Sequence, residues 1–343
     1  MGLNGYTPVV RITGAHADLI NGRRLIDWEH IDAAGQESDR LHLTVDTRGL
    51  DGLPREGDKL GLEVGWAEGG ALVNKGQFTI SRTTPKLFPD QLMIVATAAP
   101  WEVADETAFK RRRSASFTDT TLGEIFRTLT RRHGFSPRIA PALDGIAIEH
   151  VDQADETDAA FLTRLAGRFD AVAKPYDGLY VMARRGETKA ISGQSIPIVT
   201  LSVPPNNEPG QQAFVNASVD RNSRLRFKGV QAAWFDGEEG VEVEVDLGEE
   251  PFKRLRQSYQ SPGEAQAAGE GELRRLRREA AKLRVECPGN PDLAAEGLIE
   301  LDDSWPSHMQ GQWSLDKVTA RGSRRGGYRC SLEATWPDGK VEE

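Results

Sequence analysis

Cysteine is scarce in this sequence: Cys287 and Cys330 are the only two in 343 residues. Two thiols in so long a chain make no disulfide framework, which fits a protein folded in a reducing cytoplasm. Long apolar runs are missing too. The longest, Leu92 to Trp101, is about half the length of a membrane span, so no membrane insertion is expected. Met1 to Val10 carry neither the basic stretch nor the apolar core of a secretory leader. Excess positive charge is also lacking: 43 Lys and Arg against 52 Asp and Glu leave a net charge of −9. That balance excludes nucleic-acid binding by bulk attraction. The histidines, His16, His30, His42, His133, His150 and His308, form no H-E-x-x-H and no close metal spacing. GEGELR, beginning at Gly269, lacks the third glycine of a dinucleotide loop and falls inside a helical pattern. No metal and no cofactor are therefore expected.

What is present is an ordinary globular composition, 38% hydrophobic and 28% charged, in a chain long enough for two or three domains. From Thr7 to about Ala99 the texture is short strands and turns. RLHLTVD (40–46) alternates Leu41, Leu43 and Val45 against His42 and Thr44, and KLGLEVG (59–65) repeats the pattern with Leu60, Leu62 and Val64. GQFTIS and QLMIVATA follow. Strands at such short spacing suggest a small barrel or sandwich. Past Trp101 the texture changes. TTLGEIFRTLTRRHGF reads as a helix with a Thr121/Glu124 capping box and an apolar face of Leu122, Ile125, Phe126 and Leu129. GIAIEHV reads as a strand, and AVAKPYDGLYVMAR as a hairpin turning at Asp177-Gly178. The Pro/Gly/Asn-rich stretch 193–212 marks a junction. Strands return with RLRFKGVQAAWF and VEVEVDL. A helix then starts at Ser261 and Pro262, with Leu273, Leu276, Ala280 and Leu283 as its expected apolar stripe. GLIELDD, GQWSLDKVTA and YRCSLEATW close the chain as strands.

Two of these segments repeat one another. GQFTISRTT (76–84) and GQWSLDKVT (311–319) share Gly, Gln and the final Thr, with Phe for Trp, Thr for Ser, Ile for Leu and Arg for Lys between. Each follows a glycine-led strand and precedes another strand. This predicts one barrel duplicated, with an α+β unit between the copies, and it requires the same strand order in both. The fold class is thus α+β, mainly β: two related small β-barrel domains at 1–100 and 191–343, an α+β domain at 101–190, and a helical insertion at about 261–285 in the second barrel region.

QADETDAAFLTRLAGRFDA (153–171) begins acidic and turns apolar. Asp155 is placed to cap a helix and Asp158 to sit in its first turn, where acids complement the helix dipole. Phe161, Leu162, Leu165, Ala166 and Phe169 form one face, and Arg164 and Arg168 lie on the other. Every residue then has a structural role, and paired catalytic carboxylates are not needed. The same stretch resembles the Q-x-x-E-S-D-x-x-F-L-x-R-L-A signature of the phage late-control gene D family, shared with the hub-like N-terminal half of VgrG spike proteins; Thr157 stands for the usual Ser. RRRSASFTDTTLGEIFRTLTRRHGF, KGQFTIS, YDGLYVMAR, SYQSPGEAQAAGEGELRRLRRE and the closing strands resemble the family in the same order, covering nearly the whole chain.

The resemblance implies a structural tail hub at the centre of a contractile-tail baseplate, made in the bacterial cytoplasm. It implies a homotrimer whose two tube-like barrels per chain give pseudo-six-fold symmetry, joining a six-fold tail tube to a three-fold spike. Tail tube and spike proteins are the implied partners, with baseplate wedge or tape-measure proteins besides; no specific nucleic-acid binding and no enzyme activity are implied. Two alternatives stand beside this reading. One is a tail-associated cell-wall hydrolase, although the hub pattern uses all the residues. The other is the hub portion of a secretion-system spike, whose needle is expected to be another polypeptide because no β-helical span follows the second barrel. Interface candidates are the tryptophans expected in loops, Trp66 and Trp305, and the arginines Arg274, Arg275 and Arg278. Lys110 to Arg113 form a second basic stretch. His150 with Asp152 and Asp155, and Cys287 with His308, read as turn and loop residues rather than a metal site or a thiol–imidazole pair.

Overall fold

The computed structural model describes residues 7–35, 38–50, 52–98, 111–176, 179–187, 196–221, 227–323 and 327–337. Trp101, Lys110 and the Asp177-Gly178 turn lie outside the described residues. The chain opens with β1 (Pro8–Gly14), α1 (Ala17–Ile20), β2 (Leu25–Ala33), β3 (Arg40–Asp46), β4 (Lys59–Trp66), β5 (Val73–Lys86) and β6 (Gln91–Thr97). It continues with β7 (Arg112–Thr121), α2 (Leu122–Arg132), β8 (Ser136–Ile139), α3 (Pro141–Asp144), β9 (Ala147–Thr157), α4 (Asp158–Gly167), β10 (Ala171–Tyr176) and β11 (Leu179–Arg184). Next come β12 (Ile198–Leu201), β13 (Asn216–Arg221), β14 (Gly229–Asp236), β15 (Val241–Gly248), β16 (Phe252–Tyr259) and α5 (Pro262–Arg278). The last strands are β17 (Ala281–Pro288), β18 (Leu298–Leu301), β19 (Gly311–Ser323) and β20 (Gly327–Thr335). The fold is mainly β, in several sheets.

The chain divides into two compact units, each interrupted in sequence. The first holds Met1–Ala104, Pro197–Val219 and Leu283–Ala334. Its strands form one twelve-stranded sheet among the described residues. The period-two segments bury one face each: Leu41, Leu43 and Val45 from β3, Leu60, Leu62 and Val64 from β4. The early strands run in the order β1-β4-β5-β6-β3-β2. The late strands run β12-β18-β19-β20-β17-β13. Counted from the first strand of each set, both orders read 1-4-5-6-3-2. The pairing sense differs at the start, where β1 is antiparallel to β4 and β12 is parallel to β18.

The two sets meet where β2 runs antiparallel to β19, with Asp27–Ala33 opposite Lys317–Ser323. Aromatic packing crosses the same unit. The Tyr328 ring lies 5.3 Å from Trp28 and 5.5 Å from Trp66, centroid to centroid. Two glycines make room for it. A Cβ on Gly322 would stand 2.5 Å from the Trp28 ring nitrogen, and one on Gly289 would stand 2.1 Å from the Tyr328 ring.

The second unit holds Asp105–Ile196, Asp220–Lys282 and Thr335–Glu343. It contains the sheets β10-β11-β8, β15-β14-β16 and β7-β9. Thr121 caps α2 in the full capping box with Glu124, as its sequence requires. Leu122, Ile125, Phe126 and Leu129 are buried with Phe161, Leu162, Leu165 and Phe169 in one core. Each such side chain contributes about 1.5–3 kcal/mol on leaving water.

Two helix readings need correction. Helix α4 starts at Asp158, capped by the Thr157 hydroxyl accepting from the Ala160 N–H. Asp155 belongs instead to β9, at φ 45°. Helix α5 has the expected Ser261 cap and Pro262, but it ends at Arg278, and Leu283 lies in β17. Its buried face is not the expected leucine stripe but Ala265, Ala268, Gly269 and Gly271. Small residues are needed there because the helix lies close to its neighbours. A Cβ on Gly269 would meet Leu247 at 2.4 Å, and one on Gly271 would meet the Phe169 backbone at 2.8 Å.

Replacing Gly289 by Ala should destabilise the first unit by about 1–3 kcal/mol, the usual penalty for overpacking a filled site. Urea unfolding would register it as a lower midpoint with an unchanged slope; an unchanged midpoint would show that Tyr328 moves aside freely.

Candidate functional site

Asp158 is a heavily engaged acid of the second unit. Its side chain is 1% exposed at the start of α4. Gln153 donates to it at 2.8 Å, Arg132 at 3.0 Å, and a His133 ring nitrogen lies at 2.8 Å. Arg113 stands 3.6 Å away. Burial pushes the carboxyl pKa up, but the hydrogen bonds from Gln153 and His133 and the charge of Arg132 outweigh it, leaving the pKa below the usual value. A carboxylate so held is ionised at neutral pH and ties the end of α2 to the start of α4. It is a structural node, and its role goes beyond complementing the helix dipole in the first turn.

Arg164 and Arg168 also turn back to protein groups. Arg164 pairs with Glu156 and donates to the Asp152 carbonyl at 2.8 Å. Arg168 stands 3.3 Å from Glu264, whose carboxyl pKa is raised by burial. Of the predicted interface arginines, Arg278 is not at the surface. It is buried, pairing with Asp170 at 2.9 Å and donating to the Thr335 hydroxyl at 2.9 Å. Helical spacing forces this, since Arg278 falls on the same side of α5 as the buried Ala268 and Gly271. Arg274 is half-buried and donates to the Phe169 carbonyl at 3.0 Å. Arg275 pairs with Glu272 at 2.7 Å and keeps 43% of its side chain exposed.

The predicted interface tryptophans lie in the first unit. Trp66 ends β4 rather than lying in a loop, half-buried against Tyr328. It lines a shallow groove with Gly65, Val73, Asn290 and Pro291. Trp305 is 4% exposed and donates its ring N–H to the Leu201 carbonyl at 2.7 Å. That hydrogen bond and burial commit it to its own unit. Cys287, expected in a loop, is a buried residue of β17, and burial pushes its thiol pKa well up, so it holds its proton. His150 and Asp152 face each other at 3.3 Å on the exposed side of β9. Among the described residues no cluster of three or more His, Cys, Asp or Glu is spaced for a metal ion. Leu87 and Phe88, at the turn after β5, are 85% and 99% exposed.

The chain is mainly β, with one strand order found twice. Comparison with known proteins gives the class. The sequence matches the phage tail baseplate hub (GPD) family over residues 40–326. The chain belongs to that family. It is 35% identical over 212 residues to the probable baseplate hub protein of Escherichia phage 186, a match covering 62% of this chain and 51% of that protein. The chain thus spans about half the length of the curated relatives it matches. Among solved structures, the 43 kDa tail protein of prophage MuSo2 from Shewanella oneidensis is similar, with a TM-score of 0.66 at 14% identity, covering 97% of this chain and 99% of that one. An E. coli component of the type VI secretion system is similar with a TM-score of 0.57 at 14% identity, covering 97% and 77%. At such identities the likeness is one of fold.

Replacing Asp158 by Asn leaves the surrounding cations without their charge partner. A loss of about 3–5 kcal/mol is expected at neutral pH, as when one member of a buried pair is removed. Because the folded carboxyl pKa lies below the unfolded one, this stability is present above about pH 4 and is lost as pH falls through the folded pKa. Denaturation of both proteins from pH 7 to 3 checks it: the gap between them should close on the acid side and stay constant above it.

Proposed function

We propose that this chain is a structural tail hub at the centre of a contractile-tail baseplate. It works as a homotrimer whose two related β-modules per chain present six similar faces, joining a six-fold tail tube above to a three-fold spike below. The observation that carries this is the 1-4-5-6-3-2 strand order found twice in a chain of the baseplate hub family. A duplicated module lets three copies offer six like contacts, and closed rings are the usual outcome of repeating one contact. The parallel pairing of β12 with β18 marks where the second module departs from the first.

In this reading the late strands and the early strands are the two barrels, and tube and spike proteins are the partners. Trp66 and Arg275 are the best placed of the predicted interface residues, since each keeps part of its side chain exposed. Trp305, Arg274 and Arg278 act indirectly, by holding their own units in shape. The chain itself carries no catalytic role. The secretion-system alternative draws support from the fold it shares with the type VI component, and the two differ in the particle that would contain the chain.

Gold labelling of an affinity-tagged chain should mark the tube–spike junction of isolated tails, and deletion of its coding sequence should leave particles without a baseplate. A tagged chain absent from purified tails would reject the hub reading. Purified chain should give no clearing on a bacterial cell-wall zymogram, and clearing would favour the hydrolase reading instead.

A further inference from the structure

The β2–β19 contact joins the two strand sets within one chain, and each of its strands has a counterpart in the other set. By strand order β2 corresponds to β13, and β19 corresponds to β5. By the repeated sequence, Arg82 corresponds to Lys317 and Lys86 to Arg321. The counterparts do not meet each other. β13 ends the path of the sheet, with β17 as its one neighbour among the described strands. β5 pairs with β4 through Val73–Thr79 and with β6 through Thr79–Lys86. Its second half therefore has β6 on one side and, among the described residues, no strand on the other.

Burial follows the same division. Within β19, Val318 and Ala320 are each 2% exposed where β2 covers them. Their counterparts Thr83 and Pro85 are half-buried and exposed, and Ser81, Arg82, Thr84 and Lys86 are exposed around them. β2 buries Leu25, Trp28, His30 and Ala33 between its two neighbours, whereas β13 buries none of its residues. Pro85 fits an edge position, where a missing N–H is tolerated. Unpaired strand edges are templates for another strand. In the ladder within the chain Glu29 stands opposite Arg321, whose ion pair is made to Glu286. The open half of β5 keeps cations at the matching positions, Arg82 and Lys86, while β13 carries one acid and one base, Asp220 and Arg221, so the match lies in strand order and open edges and not in charge.

We propose that β13 of one copy of this chain adds antiparallel to the open half of β5, Arg82–Lys86, of the next copy. The pairing repeats between chains the β2–β19 ladder made within a chain. Each copy then offers one donor edge and one acceptor edge, a head-to-tail contact that closes into a ring when the rotation allows. The neighbouring copy also reaches the exposed Leu87 and Phe88, whose counterparts Gly322 and Ser323 lie opposite Trp28 and Asp27. The inference rests on the trimeric-hub reading for the number of copies in the ring, and the strand edges themselves identify the contact.

Cysteine pairs in the full-length chain test it. Thr83→Cys, Thr84→Cys or Lys86→Cys is combined with Ser218→Cys, Val219→Cys or Asp220→Cys. Facing residues in an antiparallel ladder lie within disulfide reach, and the native thiols are buried. On mild oxidation at least one double variant should run at about three times the chain mass on a denaturing gel, while the single variants yield no such species. In the unmodified chain, amides of 218–221 and 83–86 should exchange about tenfold more slowly at oligomer-forming concentration than on dilution. An oligomer by light scattering with neither cross-links nor slowed exchange would overturn the edge contact and leave the hub reading standing. A chain that stays monomeric at the same concentration overturns the contact as well. The hub reading itself falls on the separate finding that tagged chain is missing from tails.

Discussion

The antiparallel ladder between β2 and β19 is the constraint on which the first unit depends. Its paired residues, 27–33 and 317–323, are nearly three hundred positions apart, so the chain must close a very long loop to form them. Loop closure costs entropy that grows only slowly with length, and a ladder backed by buried side chains offsets it. Trp28, Tyr328 and Trp66 pack across the join. Gly322 and Gly289 are the positions that let those rings approach the backbone. The same ladder decides which edges are covered and which stay open, so the packing of the core and the chemistry of the surface have one origin.

The second unit is held differently. Its apolar core is pinned at the ends of helices by buried charge: Asp158 under α2 and α4, and Asp170 with Arg278 at the end of α5. Such pairs add little net stability over apolar packing, but removing one member is costly. Burial raises the pKa of Asp170, while that of Asp158 falls because more donors converge on it.

Much of the strand framework was legible because apolar alternation is a local property. RLHLTVD and KLGLEVG each declare a buried face within seven residues, and the Thr121/Glu124 box declares the start of α2. What escaped was non-local. β7 (RRSASFTDTT), β13 (NASVDR) and β16 (FKRLRQSY) are strands whose polar sequences make sense only beside their partners; β7, for example, pairs along its length with β9. The α5 face was misread because leucines attract attention, whereas the close neighbours Leu247 and Phe169 select Gly269 and Gly271. The burial of Arg278 escaped for the same reason: its partner Asp170 lies 108 residues away, and no local pattern announces it. The family was legible because its signature spans motifs in a fixed order, which a single-residue pattern cannot imitate.

A repeated strand order changes the symmetry that a ring of such chains can offer. A chain with one module can form a ring whose symmetry equals its copy number, and it then fits partners of that symmetry alone. A chain with two modules can satisfy a partner with twice as many contact points, provided the join inside the chain resembles the join between chains. The resemblance need not extend everywhere. Here it is incomplete: β12 pairs parallel with β18, where β1 pairs antiparallel with β4.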